Sequence, residues 1–281
     1  MNIQTISKPS KQYPANLKEI ASPPKRLYTC GELSQNLPLV AVVGSRKVTA
    51  YGREMTNRIV SELASAGVGI VSGLALGVDG YAHRAALKAG GFTIAVMACG
   101  LDNIYPSRHR DLAKDILKHG GGLVSEYEAG TPPLKQHFPA RNRIISGLSQ
   151  ATLVIEAAEK SGALITASFA LDQNRDVLAV PGNITNPQSQ GTNNLIKAGA
   201  ALVTNAEDIL EELGLSTEKG TTYQPQSDEE QKIISVLKDE NADAAKIIEK
   251  TGLDPASFNQ SISLLEINGA VIRVGDKWVN K

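Results

Sequence analysis

Short apolar runs alternate with amphipathic stretches through most of this 281-residue chain. The first is Leu39-Val40-Ala41-Val42-Val43, ending at Gly44-Ser45-Arg46; a run apolar on both faces predicts a buried strand. Similar runs predict strands over 68–72, 92–98, 122–125, 151–156, 177–180 and 201–204. Between them the spacing becomes helical, over 52–66, 79–89, 108–119, 140–148, 163–174, 192–198 and 206–213. Strands separated by helices predict a doubly wound α/β fold, a mainly parallel Rossmann-like sheet over 39–214 covered on both sides. Ligands of such sheets collect beyond the carboxyl ends of the strands. Gly44-Ser45-Arg46, Ser72-Gly73, Cys99-Gly100, Glu126, Glu156 and Pro181-Gly182-Asn183 all fall there.

The pattern lapses twice. Residues 1–38 hold five of the thirteen prolines, which predicts an extended arm packed along the core, with a helical turn near 16–20. Residues 215–227 lack apolar periodicity and predict a linker. Beyond it, helical patterns over 228–238, 242–250 and 255–268 precede two short strands joined at Gly275-Asp276, which predicts a winged helix over 228–281. A duplex-reading winged helix would place its third helix in the major groove. Here that helix starts Ala256-Ser257-Phe258-Asn259-Gln260 without Lys or Arg, so a protein-contacting or structural role is favoured over duplex reading.

Charge sharpens this picture. Lys+Arg and Asp+Glu are equal at 29 each. Residues 1–38 carry five cations against two anions, and 226–281 carry seven against ten, so a polyanion site must be a local patch in the middle domain. Thr131 to Gly147 is such a patch, with Lys135, Arg141 and Arg143 and no acid. Pro139 suits the first turn of a helix, whose positive end would then lie near Arg141, Asn142 and Arg143. With Phe138 leading, a guest could stack as well as carry charge, which suits single-stranded nucleic acid. A competing reading makes Phe138 core and has the arginines cap carbonyls or pair with acids. No apolar run approaches the roughly 18 residues of a membrane span, and no signal-like stretch opens the chain, so a cytoplasmic protein is expected. Cys30 and Cys99 are expected as reduced thiols, with no disulfide or Cys-x-x-Cys site.

Gly44-Ser45-Arg46 has the makings of an anion cradle: a tight turn, free amides and a cation. It lacks the endings of a P-loop or a dinucleotide fingerprint. Ser72-Gly73 opens a second glycine turn, and Ser161-Gly162 opens a helix with further amide donors. Asp79 and His83 share a helix face, where a capping Asp and a hydrogen-bonded His are favoured over a metal or acid/base pair. Glu126 and Glu156, both at strand ends, could serve as general bases, but orienting Arg141 or Arg143 by bidentate pairing is favoured. A nucleotide-processing enzyme is the alternative, since phosphoribohydrolases of related folds carry a Pro-Gly-Gly-x-Gly-Thr-x-x-Glu loop. Pro181-Gly182 and Gly191-Thr192 echo it, but the glutamate is missing. No metal or cofactor is called for.

Together these stretches resemble the DNA-processing protein A family (DprA, also called Smf). The matching signatures are Val43-Gly44-Ser45-Arg46 with Thr49 and Tyr51-Gly52, then Ser72-Gly73-Leu74-Ala75 with Gly77, Asp79 and Ala82-His83. Next come Cys99-Gly100-Leu101-Asp102 with Tyr105-Pro106, Phe138-Pro139 with Arg141 through Gly147, Ser161-Gly162 with Leu164-Ile165-Thr166-Ala167, and Val180-Pro181-Gly182. The resemblance implies a non-enzymatic protein that binds and shields single-stranded DNA and loads a RecA-type recombinase in natural transformation, usually as a homodimer. It implies binding roles for Gly44, Ser45, Arg46, Phe138, Arg141 and Arg143, and also for Lys135, Asn142, Ser161 and Gly162.

Overall fold

The computed structural model describes residues 2–33, 36–215, 225–239, 241–268, 270–275 and 277–280. They fall in two compact units, Met1–Leu215 and Ser216–Lys281. Of the linker expected over 215–227, residues 216–224 lie outside the described residues, as does Asp276 of the expected hairpin turn.

The first unit is built on a nine-stranded sheet in the order β1-β2-β6-β5-β4-β3-β7-β8-β9. The strands are β1 (Gln4–Ser7), β2 (Arg26–Gly31), β3 (Leu39–Val43), β4 (Gly69–Ser72), β5 (Thr93–Met97), β6 (Gly122–Ser125), β7 (Ala151–Val154), β8 (Asp176–Ala179) and β9 (Ala201–Leu202). From β3 to β9 all pairings are parallel. Successive side chains serve opposite layers, as a pleated strand requires. Val40 and Val42 pack with α2 (Ala50–Ser65) and α3 (Val78–Lys88). Ala41 and Val43 pack with α5 (His137–Leu148) and α6 (Gly162–Asp172). The sheet is therefore covered on both faces, and α4 (Arg110–Lys118), α7 (Gln190–Lys197) and α8 (Ala206–Glu212) complete the unit. The chain leaves β3 toward β4 on one side, whereas β7 lies on the other. That reversal opens a crevice at the carboxyl ends of β3 and β7.

The N-terminal stretch does more than pack along the core. β1 and β2 pair antiparallel, and β2 extends the sheet by pairing antiparallel with β6. Between them α1 (Ala15–Lys18) buries Leu17 against Gly147, where an added Cβ would meet Leu17 Cδ1 at 2.8 Å. Periodicity could not reveal β1, because Ile6 is its single buried residue.

The second unit packs α9 (Asp228–Asp239), α10 (Ala244–Thr251) and α11 (Pro255–Ile267) with a hairpin, β10 (Val271–Val274) and β11 (Lys277–Asn280). Ile233, Ile247, Phe258, Leu265 and Trp278 form its core. This is the expected winged helix. Asp254 starts α11, accepting from the amides of Ala256 and Ser257, and Gly252 ends α10 at φ 68°.

Candidate nucleic-acid interface

The turn after β3 is braced from beneath. Ser45 donates its amide to the Glu156 carbonyl (2.7 Å) and its hydroxyl to Gln188 Oε1 (2.8 Å), while Ser45 Oγ accepts from the Lys47 amide. Those amides are thus used inside the turn. What the turn presents outward is its cation: Arg46 is exposed and lies over the ring of Phe138, 5.3 Å from the centroid. Gly77 makes this turn possible. At φ 82° its backbone lies so close to Ser45 and Arg46 that a Cβ would sit 2.2 Å from the Ser45 carbonyl oxygen.

The second glycine turn is a clamped loop. Asp79 Oδ2 accepts from the Gly73 and Ala75 amides at 3.0 and 3.3 Å, and His109 Nδ1 meets the Leu74 carbonyl at 2.9 Å. The clamp holds Leu74 in the left-handed region at φ 57°, a conformation that costs about 1–2 kcal/mol for a residue with a Cβ. Asp79 is thus a loop latch inside the first turn of α3, whose cap is Gly77. It does not pair with His83, whose Nδ1 meets Thr93 Oγ1 instead. Ser72 is fully buried and donates to the Val42 carbonyl.

The arginines of α5 divide sharply from Arg46. Arg141 is 4% exposed; its Nη1 donates to the carbonyls of Gly73 (2.7 Å) and Val96, and its Nε to Asn142 Oδ1. Burial pushes its pKa down to about 10, which leaves it charged at neutral pH above buried Asp79. Burial likewise raises the Asp79 carboxyl, against the pull of Arg141. Arg143 donates from Nη2 to both Glu126 oxygens at 2.6 and 2.8 Å, with side chains only 15% and 27% exposed. Arg141 is thus a floor that sets the 73–75 loop while still lining the cleft, and Arg143 is held in an ion pair with Glu126. Glu126 orients Arg143 as expected. Glu156 departs from expectation, accepting from the amide and hydroxyl of Thr49 at 2.9 and 2.5 Å and so fixing the start of α2.

One cleft of about 870 Å³ gathers Gly44, Ser45, Arg46, Lys135, Phe138, Arg141, Asn142, Ser161 and Gly162 at the crevice between β3 and β7. Gly73 lines a tighter recess beside Phe138, while Ser72 and Arg143 border neither space. Lys135 is exposed; Asn142 bridges Arg141 and the Gly162 carbonyl, tying α5 to the start of α6. Ser161 caps α6 by accepting from the Ala163 amide, so the positive end of that 11-residue helix opens on the cleft. Lys47, Tyr105 and Gln188 also line it, and none was singled out from sequence as a contact. Tyr105 meets Phe138 edge to face at 5.7 Å. An aromatic beside a proline in a strand-end loop was its one sequence signal. Gln188 had none, because it reaches Ser45 from 143 positions away.

The remaining candidates resolve as packing. Cys99 donates from Sγ to the Asn103 carbonyl, and burial raises its thiol to about 11. The loop after β8 folds on itself, with Gly182 and Asn193 exchanging two hydrogen bonds that occupy the Gly182 amide. No cluster of three potential metal ligands occurs among the described residues, and none of their helices is long and apolar enough to cross a membrane.

A family model described as DNA recombination-mediator protein A matches residues 4–214, and one described as the DprA winged helix domain matches 217–277. Protein Smf of Escherichia coli is 49% identical over 213 residues, 75% of this chain and 57% of that protein. DNA processing protein DprA of Bacillus subtilis is 47% identical over 213 residues, 75% of this chain and 71% of that protein. The chain thus spans little more than half the length of the E. coli relative. Among solved structures, DprA of Streptococcus pneumoniae matches with a TM-score of 0.70 at 42% identity, covering 75% of each chain. DNA processing protein A of Helicobacter pylori, whose structure concerns a single-stranded DNA binding mode, matches at 0.68 and 33% identity, covering 76% of this chain and 96% of that one. The braced turn, the clamped loop and the Phe138 cleft all lie within the matched span, and the chain belongs to the DNA recombination-mediator protein A family.

Proposed function

We propose that the cleft between β3 and β7 binds single-stranded DNA, and that the protein shields incoming strands and delivers them to a RecA-type recombinase during natural transformation. In this reading it is a cytoplasmic, homodimeric binder that catalyses no reaction. The observation that carries the reading is Arg46 lying over the face of Phe138 at the mouth of a cleft that also presents Lys47 and Lys135. An unpaired strand offers base faces to the ring and phosphates to the cations, whereas a duplex hides its base faces. The start of α6 adds a helix dipole of the right sign. The binding described for the H. pylori relative supports the same partner.

The test is a fluorescence titration of labelled oligothymidylate across a salt series. Affinity should fall steeply with salt, by about 0.7 logarithmic units per contacted phosphate for each tenfold rise. Arg46→Ala and Phe138→Ala should each weaken binding about tenfold or more. Unchanged affinity in both variants would refute this placement.

A further inference from the structure

The basic residues of the N-terminal stretch, which sequence alone sets apart from the core, are placed by the strand register on the same edge of the sheet as the cleft. β2 runs antiparallel to β6 with Tyr28 opposite Ser125, the last residue of β6. Arg26 therefore lies past the carboxyl end of β6, with Ser7 of β1 opposite it. The Lys8 amide donates to the Lys25 carbonyl (3.1 Å), and the turn that follows carries Lys11. Lys8, Lys11, Lys25 and Arg26 are all exposed, and none forms an ion pair among the described residues.

A chain of contacts links this group to the cleft. Tyr13 donates its hydroxyl to the Pro24 carbonyl (2.9 Å) and lies within electrostatic reach of Arg143 and Glu126. Tyr127, next to Glu126, stacks on His137 at 4.0 Å, and His137 adjoins Phe138. Carboxylates along this edge are mostly engaged: Glu126 by Arg143 and Asp102 by the Gly130 amide, with Glu128 exposed. Crossing from β3 to β1 takes five strand spacings of about 4.8 Å, or ~24 Å. That is about seven phosphate steps at the duplex spacing of ~3.4 Å, and fewer for an extended strand.

We propose that Lys8, Lys11, Lys25 and Arg26 form a second phosphate-binding station, which takes the same DNA strand after it leaves the Phe138 cleft along the carboxyl edge. The inference rests on the cleft's binding DNA. Its consequence is a length dependence: a short strand fills the cleft alone, and a longer one gains the hairpin contacts.

The experiment uses the full chain with all four residues changed (Lys8→Gln, Lys11→Gln, Lys25→Gln, Arg26→Gln), alongside Arg46→Ala. Each is titrated with a short oligothymidylate that only fills the cleft and with one long enough to reach the hairpin. The fourfold variant should bind the short strand as the unaltered protein does and the long strand more weakly. If all four residues contact phosphate, the unaltered protein should lose about 50-fold more long-strand affinity than the variant over a fourfold rise in salt. Equal long-strand binding by variant and unaltered protein overturns the proposal, as does an equal loss for both lengths, which would mark diffuse attraction. Arg46→Ala should weaken both lengths. If it weakens neither, the cleft reading itself fails; if it weakens both while the fourfold variant weakens neither, only the second station fails.

Discussion

The turn after β3 and the first turns of α5 both bring arginine to one cleft, and they use it in opposite ways. Arg46 is exposed, keeps its water and rests on an aromatic face. Arg141 and Arg143 have lost most of theirs and replace it with carbonyls and a carboxylate. Desolvation separates them, because a withdrawn guanidinium needs internal acceptors, and those bonds compete with any ligand. A cluster of cations in a motif therefore does not measure the charge a surface offers.

The sharpest way to break this contrast is Arg141→Ala. It leaves Asp79 buried without its countercharge and frees the Gly73 and Val96 carbonyls. Leaving a buried acceptor unpaired costs about 1–3 kcal/mol, so urea unfolding should reveal a loss of that order or more for the two carbonyls. Stability unchanged within about 0.5 kcal/mol would mean that Arg141 is as free as Arg46.

Arg46→Ala and Phe138→Ala should do the reverse. Loss of a stacking base costs about 1–3 kcal/mol of binding, while the unfolding midpoint of exposed Arg46→Ala should barely move, by about 0.5 kcal/mol or less, and half-buried Phe138→Ala should lose less stability than Arg141→Ala. Should either variant unfold more readily than Arg141→Ala, the division of labour is wrong.

A graded, pH-dependent effect reports on the buried side of the comparison. Thr93 Oγ1 donates to the Ile70 carbonyl, so His83 donates to it from Nδ1, and Nε2 has no partner. Burial holds this imidazole far below its usual 6.5, at about 3. Below pH 6.5 the unfolded chain takes up a proton that the folded one refuses. Stability present above that pH is therefore lost as pH falls toward 3, by about 1.4 kcal/mol per unit. Comparing unfolding of the unaltered protein and His83→Gln across this range should show the variant losing stability less steeply.

How far the sequence carried can be judged at particular residues. Strands β3 to β9 were legible because their runs are apolar on both faces and their helices separate them cleanly. β1 and β2 were not: the edge strand β1 buries only Ile6, and β2, inside the sheet between β1 and β6, breaks its apolar residues with Arg26, Thr29 and Gly31. In the cleft, Arg46 and Phe138 were legible as chemistry near a strand end. The pairing of Arg143 with Glu126 was legible too, but the place of Arg141 was not, because its partners Gly73 and Val96 are 68 and 45 positions away. Spacing along a chain shows what a side chain is; only the fold shows what it touches.

The smallest effect concerns the Arg143–Glu126 pair. It stands between the two extremes, with side chains 15% and 27% exposed, and it borders the ground between the cleft and the N-terminal hairpin. Arg143→Ala leaves Glu126 partly desolvated, whereas changing both residues to alanine removes that penalty. A double-mutant cycle should return a coupling of about 1 kcal/mol, with the double variant more stable than the sum of the single changes predicts. Removing Arg143 alone should leave short-strand DNA affinity unchanged, because its guanidinium is committed to Glu126. A loss of short-strand affinity matching that of Arg46→Ala would place Arg143 with the ligand-facing cations and move the boundary of the site across α5.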